Sequence, residues 1–139
     1  MLISKNLDVN KLTEKYKLPQ EWVINKMLYV PNDRIILLAS MSKKIQILDE
    51  DTLDKLGAIR EDNNNNCLFL TKSGNVLTGS GDCHIGLWNI YDYRLLKKYT
   101  GLENEPINAI ELADGTIASC SESQHIIVWD KESKIKITE

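Results

Sequence analysis

The sequence predicts an all-β protein built from three consecutive units of four strands, preceded by a short segment outside the pattern. The first observation is a recurring order of strand, tight turn and strand, in which β-branched and apolar residues flank turn formers. Three stretches show it, namely residues 35–49, 76–89 and 116–130. The second observation is their period, since Leu48, Trp88 and Trp129 are 40 and 41 residues apart. A period of about 40–45 residues with four strands per unit is typical of β-propeller blades.

The three stretches resemble WD repeats, a family named for the Trp-Asp pair that closes the third strand of each blade. One stretch keeps the whole pair, one keeps the Trp and one keeps the Asp. In that order, the pairs are Trp129-Asp130, Trp88-Asn89 and Leu48-Asp49. The resemblance covers roughly residues 23–139 and implies a partial β-propeller of three four-stranded WD-type blades. It implies less about function, because propellers host many unrelated activities.

The chain divides into an N-terminal segment and three blades. Residues 1–22 lie outside the repeat and are expected to be a tail or a short helix that Pro19 ends. This segment is expected either to pack on the side of the propeller or stay mobile, or to dock and cap an open edge. The polar run 62–66 is expected to be a loop between blades, and 52–59, 94–99 and 134–138 are expected to be outer strands. The three blades are expected at about residues 23–62, 63–103 and 104–139.

Composition argues against two classes of partner. The net charge is −3 and the isoelectric point is near 5.4, whereas a non-specific nucleic-acid binder needs a basic surface. No apolar run approaches the ~18 residues that span a membrane.

The cysteines indicate a compartment. The chain has an odd number of them, Cys67, Cys83 and Cys120, and no secretory leader pattern. This favours free thiols in a reducing compartment, the cytoplasm or the nucleus.

The resemblance implies a set of structural anchors. Well-formed WD repeats contain a buried tetrad of Trp, Asp in the second turn, Ser or Thr on the second strand, and a His before the first strand. No Gly-His dipeptide occurs in this chain, and Leu102 follows the one matching Gly101. The network is therefore expected to be incomplete, with blades held by apolar stacking and Asp82 fixing its turn. The anchors that the resemblance implies are Thr78, Asp82, Trp88, Ser119, Trp129 and Asp130. In the third blade Ser123 stands in place of the Asp. In the first blade the corresponding residues, Leu38, Ser42 and Leu48, cannot form the network.

No catalytic, cofactor-binding or metal site is predicted. The glycines at 79 and 81 precede a strand rather than the helix of a dinucleotide-binding fingerprint. His84 and His125, with Cys83 and Cys120 nearby, occupy equivalent places on different blades and show no tight ligand spacing. Both histidines are therefore expected to be exposed at hairpin ends.

The number of blades points to assembly. Closed propellers typically need 4–8 blades, so an arc of three leaves two apolar sheet faces exposed. Two copies would close a six-bladed ring as a homodimer; a protein partner, or the rest of a longer propeller, would also close the arc. A charge at Ile127 or Ile47 is expected to dissociate the assembly if either residue lies on such a face.

Two classes of function remain open. The first is a non-catalytic protein-interaction scaffold, with candidate partner contacts at the narrow face that the resemblance implies. The second is a small-ligand-binding or enzymatic propeller with a site at the ring centre, where Cys67, Asp33 and Asp114 could lie. Asn25, Asn66 and Asn108 near the inner-strand starts are poor acid–base groups, which favours the scaffold. The candidate contacts are Met41, Gly81, Asn108 and Glu122.

Overall fold

A computed structural model of the chain describes residues 23–61, 63–102, 104–122, 125–130 and 136–138, the last three and Asn66 by their backbone only. Every regular element in these ranges is a strand. The strands are β1 Ile24–Val30, β2 Ile35–Ser40, β3 Lys44–Asp49, β4 Lys55–Arg60, β5 Asn65–Leu70, β6 Val76–Ser80, β7 His84–Asn89, β8 Arg94–Tyr99, β9 Pro106–Glu111, β10 Ile117–Ser121, β11 Ile126–Trp129 and β12 Lys136–Thr138. The described residues contain no helix long and apolar enough to cross a bilayer.

The twelve strands form three four-stranded antiparallel sheets, β1–β4, β5–β8 and β9–β12, each with its strands side by side in chain order. The prediction of an all-β chain with three four-stranded blades is confirmed. The predicted helix in residues 1–22 and the tetrad position of Ser123 lie outside the described residues.

Two predicted boundaries were wrong. β5 begins at Asn65, inside the stretch 62–66 that was predicted to be a loop. Asn65 pairs with Ser80, and its carbonyl accepts a hydrogen bond from the Asn25 side chain of the first blade at 2.9 Å, so this polar residue has backbone partners in a strand. β4 begins at Lys55 rather than at 52, because Thr52 belongs to the turn that Asp49 holds.

The Asp of the WD pair closes the turn between the third and fourth strands. Oδ1 of Asp49 accepts hydrogen bonds from the amides of Asp51 at 2.9 Å and Thr52 at 3.0 Å. Asn89 does the same one blade later, where its Oδ1 accepts from the Tyr91 amide at 2.8 Å. Both turns end in a residue with positive φ, Leu53 or Tyr93. A short acceptor side chain that holds the backbone therefore explains why Asp and Asn are interchangeable here.

This turn predicts a pH dependence of stability. The hydrogen bonds from the Thr52 and Asp51 amides hold the pKa of Asp49 below its ordinary value. A carboxyl whose pKa is lower in the folded than in the unfolded state stabilises the fold above the unfolded pKa and loses that contribution as pH falls through the folded pKa. The melting temperature should therefore fall below about pH 4, and Asp49→Asn should make this fall shallower while leaving the fold intact, as Asn89 does in its own turn.

Thermal melts between about pH 6 and pH 2 test this expectation. Glu122→Gln is the matched control, because Glu122 is exposed in the β10–β11 turn and lies away from Asp49. An unchanged pH profile in Asp49→Asn would show that the turn contributes nothing to acid sensitivity.

The core lies between the blades in two layers. The first contains Leu37, Ile45 and Ile47 of the first blade against Val76 and Trp88 of the second. The second layer joins the opposite face of the second blade to the third blade, and its members are Cys67, Leu77, Ile85, Leu87, Tyr99, Leu102, Ala109, Ile117, Ile127 and Trp129. The second blade is therefore buried on both faces, which is why β6 and β7 are almost continuously apolar.

Candidate functional site

A buried polar network lies between the first and second blades and is centred on Glu61. This residue follows β4 and is buried despite its charge. Its Oε1 accepts hydrogen bonds from Thr78 Oγ1 and from Trp88 Nε1, the latter at 3.1 Å. Trp88 Nε1 also lies 3.0 Å from Thr78 Oγ1, so the indole N–H is shared between two acceptors. One carboxylate oxygen thus holds the second and third strands of the second blade together.

The other carboxylate oxygen of Glu61 extends the network to the turn. Oε2 accepts from His84 Nε2 at 3.2 Å, and His84 Nδ1 faces the Asp82 carboxylate. Burial alone would raise the pKa of Asp82, but the Ser80 hydroxyl and the His84 imidazole outweigh it and hold the pKa below its ordinary value. Because buried charges are stable only when paired and hydrogen-bonded, this chain of contacts explains how Glu61 is tolerated inside the protein.

The network corrects two sequence-based expectations. His84 was expected to be exposed, and it is buried because both ring nitrogens meet carboxylates. The hydrogen-bonded tetrad was expected to lack the His that precedes the first strand of a blade. In the second blade Glu61 occupies that position before β5, and His84 at the start of β7 contacts the Glu61 carboxylate. Asp82 therefore contacts His84 in addition to lying in its turn. The signal that could have revealed Glu61 is its position, 41 residues before Leu102 and just before β5.

Gly86 makes room for this network. A Cβ atom at position 86 would lie 2.6 Å from Trp88 Nε1 and 2.9 Å from Thr78 Oγ1, closer than side chains pack. The third blade carries Ile127 at the matching position, but there Leu102 replaces the carboxylate. The blade that contains the Glu61 carboxylate therefore has a glycine at this position, and the blade that lacks the carboxylate has a large side chain there.

The other two blades retain less of the tetrad. In the third, Trp129 Nε1 donates to Ser119 Oγ at 3.0 Å, and the ring meets Tyr99 edge-to-face with centroids 5.8 Å apart. In the first blade Leu38 and Leu48 stand in place of Thr78 and Trp88. The anchors Thr78, Trp88, Ser119 and Trp129 are all buried, whereas Asp130 is half-buried at the end of β11.

The structure does not bring the candidate catalytic residues together. Burial between the second and third blades raises the pKa of Cys67 to about 12, which keeps it a poorly nucleophilic thiol at neutral pH. Asp33 accepts a hydrogen bond from Tyr91 at 2.9 Å, and Asp114 accepts two from Thr116 in its own turn. Within the described ranges, no three His, Cys, Asp or Glu side chains are grouped so that they could hold a metal ion. His125 is exposed, unlike His84.

Three of the four candidate partner contacts lie in equivalent turns at one edge of the blades. Met41, Gly81 and Glu122 follow the second strand of the first, second and third blade, and Met41 and Glu122 are exposed. The fourth, Asn108, is an exposed residue of β9 whose Oδ1 accepts from the Ala109 amide. Glu122 also lines an open cavity of about 590 Å³ with Lys26, Asn104, Glu105, Pro106 and Ile107.

The third blade exposes an apolar face. Ile126 has 64% of its surface accessible and Ile110 has 39%. A shallow cavity of about 150 Å³ lies on this face, and its lining residues are Asn108, Ala109, Ile110, Ala118, Ser119, Cys120 and Ile126. Ile127 and Ile47, which were considered for the exposed sides, are buried in the two inter-blade layers instead. Because strand residues alternate between faces, the open side of β11 carries Ile126 and Val128.

Comparison with solved structures identifies the fold. The chain superposes on a component of the mitotic checkpoint complex with a TM-score of 0.77 and 16% identity, over 88% of this chain and 39% of that one. The WD40 repeats of RRP9 match with a TM-score of 0.76 and 16% identity, over 86% and 39% of the two chains. This chain has the WD40 β-propeller fold. The WD40 propeller domain of Doa1 matches with a TM-score of 0.72 and 22% identity, over 84% of this chain and 40% of that one.

The WD40 chain described here spans about 40% of the length of the solved structures it matches. No protein-family model and no curated protein sequence matches it. The likeness therefore concerns the shape and order of three blades, and the buried Glu61 network is a feature of this chain's own residues.

Proposed function

We propose that the chain is a non-catalytic protein-interaction scaffold, a partial WD40 propeller that binds a protein partner through the open face of its third blade. The observation that carries the proposal is the exposure of Ile126 and Ile110 on a sheet face built for packing. Large exposed apolar patches on soluble proteins mark interaction sites. The free thiols of Cys67, Cys83 and Cys120 fit a reducing compartment such as the cytoplasm or the nucleus.

The repeat supports one kind of partner for this face. Ala118, Ile126 and Val128 of the third blade stand where Leu77, Ile85 and Leu87 stand in the second. Those three residues of the second blade are buried because the third blade packs on them. The open face of the third blade therefore repeats a surface that, one blade earlier, is covered by a four-stranded sheet.

The partner that fits is a β-sheet blade presenting an apolar face. Within this chain the incoming blade contributes Ile117, Ile127 and Trp129 to the layer it forms, and we expect the partner to contribute similar apolar side chains. A partner blade supplied by another protein agrees with the first blade, whose outward face is already buried at Leu38 and Leu48. A six-bladed homodimer would need that face to be open, so we favour a different protein over a second copy.

The proposal predicts that the isolated 139-residue chain binds an apolar dye such as anilinonaphthalene sulfonate through the third blade. Ile126→Lys should lower the dye fluorescence by about half, because the charge disrupts the centre of the patch. Met27→Lys is the matched control, since Met27 is equally exposed but lies on β1 of the first blade. Equal dye binding by the original chain and Ile126→Lys would contradict the proposal.

Light scattering on the same samples identifies the occupant. A particle of 15.9 kDa that binds the dye leaves the face free for another protein. A particle of twice that mass that dissociates on Ile126→Lys would show instead that a second copy occupies the face, as the homodimer hypothesis requires. The alternative function, a ligand site at the ring centre, would be favoured if a small ligand raised the melting temperature of the chain.

A further inference from the structure

A groove lies at the rim of the junction between the first and second blades, where the β1–β2 and β7–β8 turns meet. Its volume is about 270 Å³. The floor of the groove belongs to the buried layer between the two blades and consists of Ile35, Ile47 and Ile90. Its walls are three large side chains that remain exposed, Leu56, Tyr91 and Tyr93. The groove is therefore an apolar site that solvent reaches.

Contacts between the two blades fix the walls in place. The phenol of Tyr93 lies against Gly57 of β4, where a Cβ atom would come within 2.6 Å of the ring carbon that bears the hydroxyl. Tyr93 also has a φ of 60°, a backbone conformation that bulky side chains rarely adopt. The glycine on one blade and the strained backbone on the other thus both serve to hold this ring at the edge of the groove.

One carboxylate faces this apolar site. Among the described residues that line the groove, Asp33 is the only charged one, and its Oδ1 accepts a hydrogen bond from the Tyr91 hydroxyl at 2.9 Å. This hydrogen bond and the negative charge of Asp33 raise the pKa of Tyr91, so the phenol stays a neutral donor. None of the described residues donates to Oδ2 of Asp33. The neighbouring cation, Arg34, is bound instead to Glu50 at 3.1 Å and Asp51 at 2.6 Å.

We infer that this groove binds a lysine side chain of a protein partner. The methylene stem of a lysine covers the isoleucine floor and the tyrosine rings, while its ammonium group reaches Oδ2 of Asp33. The volume of the groove is below the ~300–1,000 Å³ that small-molecule sites occupy and suits one inserted side chain. The site lies between the first two blades, so it is a second contact surface, separate from the open face of the third blade.

Charge around the groove favours a cation. The turns 31–34, 50–54 and 90–93 contain five acidic residues and one basic residue, which are Asp33, Glu50, Asp51, Asp54 and Asp92 against Arg34. A lysine fits better than an arginine, because an ammonium group needs one acceptor, whereas the guanidinium fork binds best to both oxygens of a carboxylate. Tyr91 already occupies one of the two oxygens of Asp33.

The test is an NMR titration of the ¹⁵N-labelled full chain with a short capped alanine peptide that carries one central lysine. The amide signals of Asp33, Leu56 and Tyr91 should shift and saturate. The same peptide with norleucine in place of lysine keeps the stem and lacks the charge. It should bind about tenfold more weakly, because it loses both the ion pair and the cation–π contact. A peptide with arginine should bind about threefold more weakly than the lysine peptide.

Three variants make the titration specific. Asp33→Asn keeps an acceptor for Tyr91 but removes the charge, so it should weaken the lysine peptide about fivefold and leave the norleucine peptide unchanged. Asp114→Asn is the matched control and should change nothing, since Asp114 lies in the β9–β10 turn of the third blade and binds Thr116 there. Tyr91→Phe keeps the ring and frees Oδ1 of Asp33, so the preference for lysine over arginine should disappear.

The inference is overturned if the lysine and norleucine peptides bind equally well, or if Asp33→Asn binds the lysine peptide as the original chain does. Signal shifts centred on Glu122 rather than on Tyr91 would also overturn it, because they would place the peptide at the open cavity beside the third blade. Ile126→Lys should bind the lysine peptide unchanged. The groove and the proposed contact at the third blade can therefore fail separately.

Discussion

Replacing Glu61 by Ala is expected to lower the free energy of unfolding by about 3–5 kcal/mol. The carboxylate accepts hydrogen bonds from Thr78, Trp88 and His84, all of them buried. Removing it leaves the Thr78 hydroxyl and His84 Nε2 without this acceptor, while the Trp88 indole keeps only Thr78 Oγ1, and each unpaired buried group costs about 1–3 kcal/mol. Urea unfolding followed by circular dichroism measures the loss.

Two further variants make this result specific. Glu61→Gln keeps an oxygen for Thr78 and Trp88 but turns an amide towards His84, so we expect an intermediate loss of about 1–3 kcal/mol. Glu122→Ala removes an exposed carboxylate and should change stability by less than about 0.5 kcal/mol. If Glu61→Ala were no more harmful than Glu122→Ala, the network would not contribute to stability.

Trp129→Ala is expected to cost about 3–5 kcal/mol through lost burial and the cavity it leaves. The ring is 1% exposed and lies in the layer between the second and third blades, where it meets Tyr99. This layer joins the third blade to the second, so we also expect the third blade to open first in the variant. Hydrogen exchange would show that as faster exchange in β9–β11 than in β2 and β3.

Trp129→Phe separates the two contributions of the side chain. It preserves most of the ring contact with Tyr99 but loses the hydrogen bond to Ser119, so it should cost about 1–2 kcal/mol. A loss below about 1 kcal/mol in Trp129→Ala would mean that the third blade does not depend on this layer and that the repeat alignment assigns Trp129 the wrong place.

The repeat period was sufficient to predict three four-stranded blades, although it misplaced the starts of β4 and β5. Trp88 and Trp129 stand at equivalent positions because each blade must bury the same face against its neighbour, and a buried face requires an apolar side chain at a fixed spacing. The turn residues Asp49 and Asn89 follow the same period, since each accepts hydrogen bonds from the amides of its own turn. Features that depend on neighbours in the chain were therefore predictable.

The candidate site was harder to predict, because it depends on which distant residues meet. Glu61 differs from the residue expected at its position, and its role appears only where Thr78, Trp88 and His84 converge on it from two strands. Ile127, which was considered for an exposed side, lies in a layer between two blades for a related reason. Because side chains alternate along a strand, Ile126 and Ile127 must lie on opposite faces of β11, but the alternation does not tell which face meets a neighbouring blade.

The sequence by itself determined the all-β fold, the three-blade repeat and the turn chemistry, because these follow from local preferences repeated at a fixed period. Only the tertiary structure decided which face of each blade is covered. Burial is a property of the whole arrangement, and residues as similar as Ile126 and Leu48 are exposed in one blade and buried in another. It also decided that a buried carboxylate is tolerated at position 61, because the cost of removing a charge from water is offset only where several donors converge on it.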